Sequence, residues 1–224
     1  MKLRFVIDKN YDAILFSKLK DLGFNFIPLK KTLLSNKNFI KKLVNIRYTR
    51  VIPYLDLTRI LYQKSWDAIN SQFFKTTEEI TGYPWKYPAY FCVLSLFRKG
   101  ISNWGGNKIV RSWKENPYTM RKITAHELLI SHLFTIFEKD FQKDNLSNKE
   151  KWALAEISAW LITGLEKKML KFWPWITEEE KYPVTHNYPE LYKLQKTLKP
   201  EYEKRKDFKE FLRKSIEITR SKNI

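Results

Sequence analysis

His126 and Glu127, side by side in "TAHELLISH" (124–132), are of the residue types that carry metal or hydrolytic chemistry. An imidazole nitrogen is a metal donor or proton carrier, and a neighbouring carboxylate can serve as a ligand or a general base. Histidine is scarce: His126, His132 and His186 are the whole supply in 224 residues, so any imidazole chemistry draws on those three. Two helical histidines share one metal at spacing i, i+4, and the residue four after His126 is Ile130. Turning successive residues by about 100° and taking Ile123 as zero puts His126 near ~300°, Ile130 near ~340°, Glu127 near ~40° and His132 near ~180°. His132 thus points about 120° away from His126 and does not replace the donor missing at position 130.

Glu156 is the one charged residue in "WALAEISAWLITGL" (152–165). The run is apolar on nearly every side, so this carboxylate is expected to be buried. Left unpaired there it would cost several kcal/mol or take up a proton. It therefore needs a partner: a metal, a histidine, or a Lys or Arg from a neighbouring helix.

The elements that must position these groups follow from periodicity and turn residues. "LRFVI" (3–7) reads as a strand and residues 12–24 as a helix ended by Gly23. Residues 30–50 read as an exposed basic helix. Asp56 to Phe74 reads as a second amphipathic helix, with Leu57, Ile60, Leu61, Trp66, Ile69 and Phe73 as its core contacts. "GYPWKYP" is an irregular connector. "AYFCVLSLF" (89–97) is a buried strand, and Gly105-Gly106 turns the chain into an edge strand, "KIVRSW" (108–113). Thr119 to Asp140 is a long, mostly apolar helix, and a second spans 145–173, started by the capping box of Ser147 and Glu150. The tail, 185–220, reads as two surface helices separated near Pro200. The expected fold is a single α+β domain, mainly helical, with a small sheet beside two long helices.

Composition narrows the function classes. The lone cysteine, Cys92, excludes an internal disulfide and any zinc site built on paired cysteines, and fits a reducing cytoplasm. The N-terminal residues lack the apolar core and cleavage site of a signal peptide, and no run reaches the ~18 apolar residues of a membrane span. The formal net charge is +18, and half of that excess lies in residues 1–50, with 12 Lys and Arg against 3 Asp and Glu. Such a segment suits nucleic acid, an acidic partner or an anionic membrane surface. On the nucleic-acid reading, Lys41, Lys42 and Arg47 would meet phosphates while Phe39 or Tyr48 stacks on bases.

The order strand, glycine turn, strand "KIVRSW", helix with "HELLI" and then a helix with an inward Glu resembles the gluzincin type of zinc metallopeptidase over about residues 89–173. The resemblance implies a zincin-like sheet whose edge strand aligns an extended substrate. It implies His126 and Glu156 as zinc ligands and Glu127 as the base that deprotonates metal-bound water. The departure is Ile130, which stands where the family's second histidine belongs and leaves two protein ligands of three. The expectation is therefore a degenerate, catalytically impaired site where zinc binds weakly or not at all, with peptide or protein binding retained. His132 and His186 are auxiliary candidates.

Overall fold

A computed structural model describes residues 1–17, 37–97, 100–102, 104–181 and 188–221. The chain is α+β and mainly helical. Strand β1 (Lys2–Val6) leads to helix α1 (Lys9–Ser17); α2 (Lys37–Asp67) and α3 (Asn70–Thr81) follow, then β2 (Ala89–Ser95), β3 (Gly100–Ile101) and β4 (Lys108–Ser112). Next come α4 (Pro117–Asp140), α5 (Asn148–Leu165), the single turns α6 (Lys167–Leu170) and α7 (Glu178–Lys181), then α8 (Pro189–Lys204) and α9 (Phe208–Ser221). The remainder of the helix expected over 12–24, the start of the one expected over 30–50, and His186 lie outside the described residues.

The sheet order is β1-β2-β4-β3. β1 and β2 pair in parallel with Phe5 opposite Cys92, β2 and β4 pair in parallel with Cys92 opposite Ile109, and β3 is antiparallel to β4. Alternation along the strands sorts the two faces. Val93 and Val110 meet Leu15 of α1 on one face. Leu3, Phe5, Cys92, Leu94 and Ile109 join, on the other, a hydrophobic cluster that extends to Ile216.

"KIVRSW" is not an edge strand, contrary to the sequence expectation. After β2 the chain passes outside β4, runs back as β3, and turns at Gly105, whose φ of 86° suits glycine. β4 is thereby inserted between β2 and β3. The sheet ends at β1 on one side and at the two-residue β3 on the other, and helix side chains cover β1: Phe5 N donates to Gln63 Oε1 (2.9 Å), Leu3 N to Asn70 Oδ1 (3.0 Å), and Gln63 Nε2 to Leu3 O (3.1 Å). Backbone groups satisfied in this way are not free to recruit another strand.

The two helices expected over 30–50 and 56–74 divide differently. One helix runs from Lys37 to Asp67 through Pro53, and the break falls at residues 68–69. Likewise α8 continues through Pro200 and ends at Lys204. Both prolines are exposed, and on a water-facing side the carbonyl that loses its amide partner can be hydrated. Trp66, Ile69 and Phe73 are in the core, but Leu57, Ile60 and Leu61 are 60%, 52% and 56% exposed. The helix expected over 145–173 stops at Leu165, and α6 begins after Glu166.

Asp12 of α1 ties these layers together. It is fully buried; its Oδ2 accepts from Leu96 N and Tyr48 OH, each at 2.9 Å, and its Oδ1 from the Ser95 hydroxyl. Burial raises its carboxyl above the ordinary range, and these three hydrogen bonds oppose the rise.

Candidate functional site

The two long helices α4 and α5 pack side by side and carry the three residues singled out for chemistry. Asn116 caps α4, accepting from Tyr118 N at 2.9 Å, and Pro117 occupies its first turn. For α5, Ser147 N donates to Glu150 Oε2 (2.7 Å) and Glu150 N to Ser147 Oγ (3.2 Å), the capping box expected there. These starts set the helical phase of everything that follows.

Across the α4–α5 interface, His126 Nε2 lies 3.1 Å from Glu156 Oε1, with both residues buried. The His126 ring also sits 4.5 Å from that of Trp160. One turn before His126, Lys122 is buried too: its Nζ lies 5.2 Å from the Trp160 ring and donates to the backbone of Glu180 in α7. Desolvation lowers the Lys122 ammonium to about 8. One turn after His126, the Ile130 side chain is in the hydrophobic core.

Glu127 turns the other way, toward the sheet. Its Oε1 is 3.7 Å from Arg111 on β4, and Arg111 also holds Glu115 Oε2 at 2.6 Å. Desolvation raises the Glu127 carboxyl to about 7; the nearby charges of His126 and Arg111 oppose this, and Glu156 and Glu115 add to it. His132 is elsewhere again, fully buried, stacked on Trp85 at 4.3 Å with Nε2 3.2 Å from Thr81 Oγ1. Burial drops its pKa to about 3, so it is a neutral packing residue. Lys41, Lys42 and Arg47 lie on α2 and are exposed, with Arg47 above the Phe97 ring at 5.6 Å.

The structure thus brings together His126 and Glu156, places Glu127 at an adjoining cluster, and separates His132 from both. Sequence reading missed Arg111, Glu115 and Lys122. Lys122 carried a signal, since it falls on the His126 face at spacing i, i+4. The Arg111–Glu115 pair carried one too weak to act on, because a short-range charge pair next to a strand end is usually solvated.

These residues do not fit a zinc centre. Among the described residues two donors converge rather than three, and the side chain one turn after His126, Ile130, is hydrocarbon in the core. A metal-bound histidine normally bonds its second ring nitrogen to an orienting acceptor, whereas the buried Nδ1 of His126 has no hydrogen-bond partner among the described residues. Lys122, on the same face, adds a cation where a metal would need anions. No group of three His, Cys, Asp or Glu side chains among the described residues is arranged to hold an ion.

Compared with protein-family models, with curated proteins and with solved structures, the chain matches none.

Proposed function

We propose that this chain is a metallopeptidase-like, gluzincin-related scaffold whose metal centre is degenerate, and that it acts by binding a peptide or protein partner rather than by hydrolysis. The observation that supports this is the His126–Glu156 pair at 3.1 Å on adjacent long helices, with Ile130 in the core one turn away. Two of the family's three ligand positions face each other, and the third is filled by a side chain without a donor atom. Glu127, in the position of the general base, is engaged instead with Arg111. With β4 internal, "KIVRSW" is not the edge strand with which the resemblance would pair an extended substrate.

The substitution Ile130→His tests the reading. It sets a second imidazole one helical turn from His126, with Glu156 to complete a three-donor set. Zinc affinity should rise by orders of magnitude over the natural protein, and zinc should raise the melting temperature of the variant relative to its own metal-free form. That internal comparison removes the cost of placing a polar ring in the core. Unchanged zinc affinity in a folded variant would show that the helices are not disposed as in a gluzincin.

A further inference from the structure

Helix α2 is apolar on two opposite sides, and among the described residues only one of them is covered. With Leu57 set to zero and about 100° per residue, the buried Ile40, Val44, Tyr48, Leu55, Tyr62 and Trp66 fall between about 100° and 180°. Ile46, Pro53, Tyr54, Ile60 and Leu61 fall within about 60° of Leu57. Of this outward set Tyr54 is 61% exposed and Ile46 45%, beside the three leucine and isoleucine side chains noted above. The stripe from Ile46 to Leu61 is about 22 Å long at ~1.5 Å per residue. Among the described residues no element packs on it. So long an exposed apolar row marks an interaction surface rather than ordinary surface scatter.

The charges around the stripe indicate what it meets. α2 carries seven Lys and Arg against two Asp. Arg50 and Lys64 fall inside the stripe's sector and Lys42 and Arg47 flank it, where long basic side chains can lay their stems on the apolar row and lift their charges to an anionic layer. A second feature adjoins the Leu61 flank. Arg121 donates to Ser65 Oγ at 3.1 Å and lies 4.9 Å from the Trp175 ring, and Trp175 meets Tyr118 edge-on at 4.9 Å. Both rings are exposed. Trp and Tyr beside an Arg suit the boundary between hydrocarbon and headgroups.

We propose that the outward face of α2 is a peripheral binding site for an anionic lipid surface: Tyr54, Leu57, Ile60 and Leu61 enter the acyl boundary while Lys42, Arg47, Arg50 and Lys64 meet lipid phosphates. No helix among the described residues is long and apolar enough to cross a membrane, so the contact is with one leaflet. A second copy of the chain fits this face less well, because an antiparallel pair centred on Leu57 would set Arg50 of one copy against Lys64 of the other. Nucleic acid would satisfy the cations and leave the apolar row in water. The surface is separate from the His126–Glu156 pair, so its test does not depend on the reading of the metal site.

Sedimentation of the full chain with vesicles tests it. The protein should bind vesicles of phosphatidylcholine mixed with phosphatidylglycerol, bind phosphatidylcholine alone far more weakly, and lose affinity as salt is raised. Leu57→Glu with Leu61→Glu should weaken binding roughly tenfold or more, as should Lys42→Glu with Arg50→Glu by the electrostatic route. All four positions are exposed, so the thermal unfolding of both variants should match that of the parent, which separates lost binding from lost folding. Vesicle binding that neither variant alters would overturn the proposal. So would absence of binding at low salt, whether the chain then proves to be a dimer that Leu57→Glu dissolves or a protein that binds single-stranded RNA through the same cations.

Discussion

Glu156 faces His126 across the α4–α5 interface, with Oε1 3.1 Å from Nε2 and the two side chains 10% and 4% exposed. In that setting the carboxylate is the acceptor that satisfies the one ring nitrogen of His126 with a hydrogen-bond partner among the described residues. Replacing Glu156 with Leu should therefore destabilise the protein by about 1 to 3 kcal/mol, the usual cost of stranding a buried polar group. Glu156→Gln keeps an oxygen at the same place and should lose clearly less. Urea unfolding of the two variants measures the difference, and equal losses would mean that the pair contributes nothing specific.

Glu127 should make the protein less stable as pH rises through the weakly acid range. Its folded-state pKa is about 7 against 4.5 when exposed, so the folded state holds the proton more tightly than the unfolded one. The contribution is full below 4.5 and is lost as pH rises to about 7. It is on the order of 2 kcal/mol, given that a little of the side chain reaches solvent. Glu127→Gln should flatten this fall in a series of unfolding curves. A variant with the parent's slope would place the titration elsewhere.

His132 acts in the opposite sense. Its folded-state pKa is about 3 against 6.5 when exposed, so the unfolded chain takes up the proton first. The stability contributed by keeping His132 neutral is present above 6.5 and is lost as pH falls toward 3. His132→Phe keeps a ring against Trp85, and Thr81 Oγ1 still donates to Thr77 O at 2.9 Å. The variant should resist acid better than the parent, as measured by its unfolding midpoint below pH 5. Because the His132 and Glu127 slopes overlap, the two substitutions must be made singly.

The two sides of α2 should respond unequally to truncation. Leu55→Ala removes a fully buried side chain and should cost about 2 to 5 kcal/mol. Leu57→Ala, two residues on, should change stability by less than about 0.5 kcal/mol. Thermal unfolding decides the matter; a large loss at Leu57 would mean that its side chain is covered in solution.

That pair of leucines also shows what could be read from the sequence and what could not. The helical period of residues 56–74 is legible, but a helix apolar on both sides gives no phase, so spacing alone puts Leu57, Ile60 and Leu61 in the core. Pro200 reads as a break, yet the cost of proline depends on whether the freed carbonyl reaches water, which composition does not reveal. The position of β4 depended on which way a short hairpin folds relative to β2, a non-local choice that the alternation in "KIVRSW" does not encode. By contrast, Glu156 was legible as buried because it is one carboxylate in a long apolar helix. Its partner stays open among a metal, a histidine, a lysine and an arginine, and only the gluzincin resemblance sets His126 beside it. The contact of Arg111 with Glu127 was not legible, since the two come close only after the sheet and α4 have packed.

The zinc content of the purified natural protein, measured by mass spectrometry, tests the reading of "HELLI" most directly. A histidine paired to Glu156, with the hydrocarbon of Ile130 one turn away and Lys122 on the same face, predicts zinc far below one ion per chain and no peptidase activity that a chelator abolishes. One tightly held zinc per chain would contradict it, and would mean that a further donor completes the site around His126 and Glu156.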